Sequence, residues 1–409
     1  MSIRRPAHVA VLGAGIMGSS VALFLARKGV HVTLVDIEDE PFCGASRWNE
    51  GKIHLGYLYA GDPTRKTARG LLPGGMAFKR LTEELIGCSL QPVITPEDDI
   101  YLVHGDSVVS AKAMEHYFNE ITTLVRAHPD SNRYLVDTSH SKMHALSHRE
   151  LAGVTDSPVI VGGYRVPERS VQTDWVADRF IEALDAEPRI ELALSTRVKR
   201  VRPAGATIDG PWLVDTNPVL DSAYDSVINA LWQERLTIDA TAGLEPEAGW
   251  SHRYRLSLFV RTARRVNAPS AVLATGPFGD IKNYTGSDFY LSWYPTGLLA
   301  EGHAESPPAV PDLNELARNE IIHSIIATLG DLLPAVKSVA AEAVDVALEG
   351  GWVFALGRGS LADPHATLHR RDRFGVRRHG SYVSIDTGKY STAPWLARQI
   401  ADSMTGDGA

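Results

Sequence analysis

The sequence is poor in cysteine, has no long apolar run and carries no excess of positive charge, and each absence removes a class of protein. Its two cysteines, Cys43 and Cys88, cannot build a disulfide framework, and no Cys/His spacing typical of structural zinc occurs. Glycines interrupt the first apolar run before it reaches signal-peptide or membrane-span length. A net charge of −8 gives no field that would attract nucleic acid. We therefore expect a cytoplasmic globular protein with no transmembrane segment and no nucleic-acid partner.

The chain has enough apolar sequence, 44% of 409 residues, for two or three domains of ordinary size. Strand, turn and helix patterns alternate near both ends, whereas alternating strand patterns between residues 254 and 299 predict an antiparallel sheet. No repeat or Pro/Ser-rich linker separates these regions, so we expect interleaved domains. Helices are predicted near residues 75–86, 111–127, 171–184, 313–330, 335–348 and 394–404.

A glycine motif follows the first predicted strand and opens the first predicted helix. In GAGIMG, Gly13 suits the tight turn, Gly15 lets a pyrophosphate approach the backbone, and Gly18 allows the helix to pack closely on the strand. Asp36 ends the second predicted strand, 36 − 13 = 23 residues after the first glycine, where a carboxylate can accept hydrogen bonds from ribose hydroxyls. The motif predicts dinucleotide binding, and by itself it does not separate FAD from NAD.

Residues 44–59, GASRWNEGKIHLGYLY, resemble the segment that wraps the flavin in the D-amino-acid oxidase superfamily. The IHxG element at residues 53–56 most resembles the branch that holds FAD-dependent glycerol-3-phosphate dehydrogenases and 2-hydroxyglutarate dehydrogenases. The resemblance implies FAD as the cofactor. By position it also implies a set of cofactor-contacting residues, namely Ser46, Arg47, Lys52, Ile53 and His54.

Three further blocks follow in the order that the superfamily uses. Residues 173–201 resemble its helix and strand pair ending in an adenine-contacting valine, which points to Val198. Residues 228–232, INALW, resemble a second flavin-side turn that includes Ala230. Residues 384–393, SIDTGKYSTA, resemble the segment that closes the flavin site, and this segment carries Gly388, Lys389, Tyr390 and Ser391.

Together the patterns and the resemblance predict an α/β protein with a Rossmann-like FAD-binding domain interleaved with an antiparallel-sheet α+β substrate domain. We assign residues 1–78, 157–247 and 345–409 to the FAD-binding domain. Residues 79–156 and 248–344 are assigned to the substrate domain. The resemblance is weakest in the substrate domain, where the identity of the substrate is decided.

Two cations are predicted to act in the reaction. Lys389, just before the last predicted helix, can hold an anionic group or the charge that a flavin accumulates on reduction, and Ser391 and Thr392 can cap that helix. Arg358 aligns with an arginine that contacts the anionic substrate group in the resembling dehydrogenases, and a guanidinium suits a carboxylate or phosphate. Arg371 is a weaker candidate, because the run HRRDRFGVRRH also fits a solvated basic hairpin.

His54 can serve as a general base, as a flavin contact or as a point of covalent flavin attachment, and Cys43 is a second attachment candidate. Aromatic residues of the predicted strands, Tyr290 among them, can line the substrate pocket or belong to the core. Three histidines at four-residue spacing, His140, His144 and His148, suit one helical face, but without a Glu or Cys motif nearby we predict no metal site.

The predicted function is oxidation of a CH–OH centre in a small, anionic substrate by hydride transfer to flavin N5. The electrons then pass to oxygen or to a carrier. Three alternatives stay open at this point. The substrate centre can be CH–NH, as in an amine or amino-acid oxidase; NAD can replace the flavin; and the chain can be a non-catalytic FAD-binding protein.

Overall fold

In the computed structural model, residues 5–247 and 249–406 are described, and they form two large sheets that share one cavity. The strands are, in chain order, β1 (His8–Leu12), β2 (His31–Val35), β3 (Lys52–Ile53), β4 (Asp99–His104), β5 (His144–Ala145), β6 (Ile160–Val166), β7 (Arg169–Ser170), β8 (Ile190–Ala193), β9 (Arg197–Pro203), β10 (Trp212–Asn217), β11 (Ala223–Tyr224), β12 (Ser226–Asn229), β13 (Ser251–Thr262), β14 (Ala271–Ala274), β15 (Gly279–Asn283), β16 (Asp288–Trp293), β17 (Leu298–Gly302), β18 (Ala343–Ala355), β19 (Gly375–His379) and β20 (Tyr382–Asp386).

Helices connect and cover these sheets. They are α1 (Ile16–Arg27), α2 (Lys66–Ile86), α3 (Ala111–Ala127), α4 (His148–Ala152), α5 (Thr173–Asp185), α6 (Arg235–Thr241), α7 (Tyr294–Gly297), α8 (Glu315–Leu332), α9 (Ala335–Ala341) and α10 (Ala393–Thr405). Among the described residues, no helix combines the length and the apolar character that crossing a membrane requires.

The dinucleotide-type sheet has the strand order β19-β20-β12-β1-β2-β8. Its five strands from β20 to β8 are parallel, and β19 adds an antiparallel edge. The strand β1, HVAVL, is apolar and nearly all buried, as expected for the centre of a parallel sheet covered on both faces. The helix α1 crosses from β1 to β2 and packs against α10, α5 and α2, so this unit is the predicted Rossmann-like half of the molecule.

The second sheet is mostly antiparallel and runs β17-β13-β16-β15-β14-β4-β6-β5, with β18 on the other side of β13. Residues of β13 alternate between two faces. Leu256, Leu258 and Val260 join an apolar cluster with α8 and α9, whereas Arg255 and Ser257 turn to the cavity. The helices α8 and α9 therefore cover one face of the sheet and leave the other for the site.

Two strands belong to a sheet other than the one that the predicted domain boundaries imply. By sheet pairing, β6 and β18 belong to the antiparallel sheet, although residues 157–247 and 345–409 were assigned to the FAD-binding domain. The predicted helix at 335–348 is wrong in its second half, because α9 ends at Ala341 and β18 begins at Ala343. Val344, Val346 and Leu348 alternate with period two, which fits the long ladder that β18 makes with β13. The predicted domains also include residues 1–4, 248 and 407–409, which lie outside the described residues.

We predict that Gly18→Ala destabilises the protein, because a Cβ at this position would lie 1.8 Å from the carbonyl oxygen of Gly13. Forced overpacking of this kind costs about 1–3 kcal/mol. The matched control is Gly205→Ala in the loop between β9 and β10, where a Cβ meets no atom within 4 Å. Urea unfolding of the flavin-free protein measures both variants without the stabilisation that a bound cofactor adds. Equal midpoints for the two variants would contradict the prediction.

Candidate active site

The glycine turn between β1 and α1 has the geometry that a dinucleotide needs. Gly13 adopts a φ of 97°, and its N–H donates to the Val35 carbonyl at 2.7 Å. The N–H of Ala14 donates to one carboxylate oxygen of Asp36 at 2.5 Å, which places this acid beside the turn. The N–H of Ile16, in the first turn of α1, donates to Ser46 Oγ at 2.9 Å. The helix N-terminus, the acid and Ser46 thus meet at one point.

A cavity extends from this turn to residues of β13, β16 and β18. The predicted residues that line it are Gly13, Gly15, Asp36, Ser46, Lys52, His54, Ala230, Gly388, Lys389 and Tyr390. Folding therefore brings four separate segments of the chain to one site.

Other predicted residues lie around the cavity and do not line it. The guanidinium of Arg47 pairs with Asp178 at 2.8 Å, and the Ile53 side chain is buried in the apolar core. Val198 packs in the small sheet formed by β9, β10 and β11. Ser391 is fully buried, and its Oγ has no hydrogen-bond partner among the described residues. Roles for these residues toward FAD stay predictions.

The two candidate arginines are placed differently from the predicted ranking. Arg358 is exposed, with its guanidinium 6.0 Å from the centre of the Trp250 ring, and it does not line the cavity. Arg371 does line the cavity, is 8% exposed, and donates to the Phe354 carbonyl at 2.9 Å. The sequence alone favoured Arg358 because the neighbouring basic residues made the segment of Arg371 resemble a surface hairpin.

Arg255 and Glu50 are cavity residues that the sequence reasoning missed. Arg255 interrupts the apolar strand RLSLFV, and an arginine on the same strand face as Ser257 was an available signal. Glu50 lies within residues 44–59, where the resemblance pointed to Ser46 and His54 and not to this residue. Tyr290, one of the aromatic candidates, lines the cavity beside them and shares a hydrogen bond of 3.0 Å with Ser257.

Positive charge dominates the substrate side of the cavity. Burial lowers the pKa of Lys389 to about 8; Glu50 opposes this shift, whereas Arg371 reinforces it. Burial also lowers the pKa of Arg371 to about 10, and the charge of Arg253 adds to this shift. Burial acts to raise the pKa of Glu50, but Lys389 and the other cations outweigh it and hold this pKa below its usual value.

His54 is neutral in this setting. Its side chain is 1% exposed, its ring centre lies 5.8 Å from that of Tyr59, and its Nδ1 has no hydrogen-bond partner among the described residues. Burial, followed by the charges of Lys389 and Lys52, holds the pKa of His54 well below 6.5. The imidazole can therefore accept a hydrogen bond, but it is a weak base.

A buried ionic cluster lies next to His54 and joins the short β3–β7 pair to the antiparallel sheet. Asp99 on β4 accepts hydrogen bonds from Lys52 on β3 and from Lys282 on β15, the latter at 2.8 Å. Glu168 lies 3.4 Å from Lys52 Nζ, accepts a hydrogen bond from the Tyr101 hydroxyl, and accepts the N–H of Leu55 at 2.6 Å. The four charged side chains are at most 2% exposed. The ammonium of Lys52 is thus held by the carboxylates of Asp99 and Glu168.

The turn before α10 contains a glycine in the left-handed conformation, but the N-terminus of α10 is not capped as predicted. Gly388 adopts a φ of 69°, and its N–H donates to Asp386 at 2.9 Å. Thr392 precedes α10 but makes no side-chain cap hydrogen bond; its Oγ1 donates back to the carbonyl of Thr387 at 2.5 Å. The predicted capping by Ser391 and Thr392 is therefore wrong, because the hydroxyl of Thr392 closes the preceding turn.

The three spaced histidines do not share a helix face. His140 precedes a short strand that contains His144, and His148 begins the short helix α4. His144 Nε2 instead contacts Glu150 at 2.9 Å. Within residues 5–247 and 249–406, no group of three or more His, Cys, Asp or Glu side chains is arranged to hold a metal ion.

The residues at the turn fit a dinucleotide cofactor. A Cβ on Gly15 would meet Ser46 Oγ at 2.8 Å, so glycine leaves the helix N-terminus bare for an anionic group. The Asp36 carboxylate, which already accepts two backbone N–H groups, keeps further lone pairs for ribose hydroxyls. The fold and the cavity together are those of a dinucleotide-binding protein whose cavity is bounded on one side by a second, antiparallel sheet.

The chain belongs to the FAD dependent oxidoreductase family, DAO, whose model matches residues 8–358. The cofactor is FAD, and the chain is an enzyme. Among solved structures, glycine oxidase from Geobacillus kaustophilus superposes with a TM-score of 0.68 at 13% identity, over 98% of this chain and 94% of that one. L-alpha-glycerophosphate oxidase from Mycoplasma pneumoniae, with FAD bound, superposes with a TM-score of 0.64 at 14% identity, over 97% of this chain and 94% of that one.

One curated relative matches a short segment. The tRNA 5-methylaminomethyl-2-thiouridine biosynthesis bifunctional protein of Chromohalobacter salexigens is 46% identical over 70 residues, which are 17% of this chain and 10% of that protein. The match therefore spans a tenth of the relative's length. The structural neighbours include a glycine oxidase and a glycerophosphate oxidase, so the branch predicted from residues 53–56 stays a prediction.

We predict that Asp99→Asn strongly destabilises the protein, because it leaves the buried ammonium of Lys282 without its carboxylate partner. Removing one partner of a buried ion pair costs about 3–5 kcal/mol. The control is Asp331→Asn, which removes the partner of Lys337 in a pair whose side chains are 76% and 62% exposed. Denaturant unfolding should separate the two variants clearly. Similar unfolding free energies would show that the cluster adds little.

We predict that binding of a small carboxylate weakens as pH rises through about 8, because Lys389 is protonated below this pH and neutral above it. Propionate is a suitable probe, since it does not titrate in this range. Its dissociation constant can be read from the change that it causes in the flavin absorbance of the holoenzyme. Lys389→Arg should bind tightly with a flat profile, and Lys389→Met weakly with a flat profile. A flat wild-type profile between pH 7 and 9 would contradict this role of Lys389.

Proposed function

We propose that this FAD-dependent oxidoreductase oxidises the carbon–nitrogen bond of a small anionic amino or imino acid. The observation that supports this proposal is that three cations, Arg255, Arg371 and Lys389, line the same cavity as the glycine turn. A guanidinium is suited to a substrate carboxylate, because its planar fork matches the two oxygens. When bound, FAD supplies the two-electron acceptor.

The environment of His54 favours an amine over a hydroxyl. Oxidation of CH–OH requires a base to take the hydroxyl proton, and a general base works best when its pKa lies near the working pH. The pKa of His54 is held well below 6.5 by burial and by Lys389 and Lys52, which makes it a poor base. A neutral amine needs little base catalysis. The same cations lower the pKa of an ammonium group bound among them, and so favour its neutral, reactive form.

In this proposal the residues of the chain divide the work by position. Arg255 and Arg371 bind acidic groups, and Lys389 adds positive charge where a reduced flavin is stabilised. Glu50 offsets Lys389 and can accept a hydrogen bond from the substrate nitrogen. His54 offers the unpartnered Nδ1 as a hydrogen-bond acceptor beside the reacting carbon. Arg358, on the exterior, is not needed for these contacts.

A second candidate is the oxidation of CH–OH, which the resemblance of residues 53–56 first suggested. The observation in its favour is that His54 Nδ1 is buried without a partner among the described residues, as a base awaiting a hydroxyl would be. Membership of the glycerol-3-phosphate and 2-hydroxyglutarate branch belongs to this candidate. Transfer of the electrons to oxygen or to a carrier is compatible with either candidate.

The test is anaerobic bleaching of the bound flavin with matched pairs of acids that share a carbon skeleton. Alanine is compared with lactate, and glutamate with 2-hydroxyglutarate, while glycerol 3-phosphate serves as a polyol phosphate. We expect the amino acids to bleach the flavin faster than their hydroxy partners. Faster bleaching by the hydroxy acids would favour the second candidate. No bleaching by any of the compounds would point to a non-catalytic FAD-binding protein.

A further inference from the structure

We propose that the substrate carries two acidic groups, one bound by Arg255 and the other by Arg371, and is therefore an amino or imino dicarboxylate. This inference rests on the proposed function and specifies the substrate class of the same site. A single carboxylate would need only one guanidinium. The argument depends on where the two guanidinium groups lie and on what surrounds them.

Arg255 reaches the cavity from the antiparallel sheet. Its Nη2 donates to Ser292 Oγ at 2.6 Å, and its guanidinium carbon lies 4.4 Å from the centre of the Tyr294 ring. Its Nε is buried and has no hydrogen-bond partner among the described residues. One side of the guanidinium is thus fixed by uncharged groups, and donor capacity is left over.

Arg371 reaches the cavity from a different wall, the segment that follows Thr367–His369. Its backbone N–H donates to Thr67 Oγ1 at 3.0 Å, and its Nη1 donates to the Phe354 carbonyl at 2.9 Å. These contacts fix both ends of the residue with uncharged acceptors. A guanidinium has five N–H donors, so Arg371 keeps several for a ligand.

Neither guanidinium is neutralised by the protein. None of the ion pairs among residues 5–247 and 249–406 involves Arg255, Arg371 or the neighbouring Arg253, whose guanidinium bonds the Tyr294 hydroxyl at 2.8 Å. A buried charge without a counter-charge is costly unless a bound group supplies one.

Three carboxylates, Glu50, Asp280 and Asp386, interact with these arginines, and each has another cation to face. Glu50 faces Lys389, which acts on it more strongly than Arg255 does. Asp386 lies 3.5 Å from a guanidinium nitrogen of Arg235, and Asp280 interacts most strongly with Lys282. Asp99 and Glu168 are held in the cluster with Lys52 and Lys282. The acids therefore do not replace a ligand at Arg255 and Arg371.

Two separated acidic groups fit these positions better than one doubly charged group. Arg255 is fixed by Ser292 and by the ring of Tyr294, whereas Arg371 is fixed by Thr67 and Phe354, so the two guanidinium groups reach the cavity from different elements. Lys389 lines the same cavity. A phosphate monoester would instead need both arginines at one point.

The test is a binding titration of the holoenzyme that does not depend on turnover. Succinate, glutarate and adipate are compared with their monoamides, which have the same length and one charge fewer, and with inorganic phosphate. Dissociation constants are read from the perturbation of the flavin absorbance. We expect one dicarboxylate to bind about 10- to 100-fold more tightly than its monoamide, which is the range for one charge-assisted contact.

Variants of the two arginines test whether each of them binds one acidic group of the ligand. In both Arg255→Met and Arg371→Met, the preference for a dicarboxylate over its monoamide should disappear, while monoamide binding persists. Lysine at either position should restore part of the preference, because it keeps the positive charge but lacks the planar guanidinium that binds both carboxylate oxygens. The control is Arg261→Met on the same strand as Arg255, where the side chain is 63% exposed and pairs with Asp288. This control should bind all ligands as the wild type does.

Folding is checked by thermal unfolding. Neither cavity variant should lower the melting temperature strongly, because Arg371 is a buried charge without an ion-pair partner among the described residues and Arg255 is only partly buried. Equal binding of dicarboxylates and monoamides, or tighter binding of phosphate, would overturn the proposal. The proposed function fails separately if no amino acid bleaches the flavin. Bleaching by alanine at the rate given by aspartate or glutamate would leave the proposed function standing and overturn the two-acid inference.

Discussion

The site depends on the buried hydrogen bonds that Asp99 accepts from Lys52 and Lys282. These lysines lie 282 − 52 = 230 residues apart, one in the segment after the dinucleotide turn and one in the antiparallel sheet. Because a buried carboxylate is costly without such partners, the cluster holds the segment of Lys52 against the antiparallel sheet. Glu168 extends the same cluster to the N–H of Leu55, which directly follows His54. The position of the segment that carries His54 is therefore tied to the packing of the antiparallel sheet.

The electrostatic properties of the cavity depend on which segments of the chain meet there. The recognised segment supplies Glu50 and His54, the antiparallel sheet supplies Arg255, and the closing segment supplies Arg371 and Lys389. Burial, together with the neighbouring cations, lowers the pKa of Lys389 to about 8 and holds that of His54 well below 6.5. A site with these properties attracts acids and weakens bases. The proposed preferences, for an amine and for two acidic groups, both follow from this charge distribution.

Much of the cofactor side could be predicted from local sequence. Gly13, Gly15 and Asp36 act through backbone conformation and short range, so a strand, a turn and a helix in register define their positions. The substrate side could not be predicted in this way. Arg371 stands in a run of basic residues that has the composition of a surface hairpin, and only its burial against Phe354 distinguishes it. Arg358 shows the reverse case, since its sequence context suggested a ligand contact and its side chain is exposed.

The sequence by itself determined the parallel dinucleotide unit, because this unit depends on periodicity and on glycine positions that neighbouring residues specify. FAD as the cofactor was implied by the resemblance of residues 44–59 and 384–393 to the D-amino-acid oxidase superfamily. Tertiary structure alone decided which charged side chains meet. The pairing of β13 with β18 places Arg255 on the cavity face, and the burial of Arg371 brings it to the same cavity from a distant segment. The physical reason is that interactions between charges depend on distance and burial in space, which the order of residues along the chain does not encode locally.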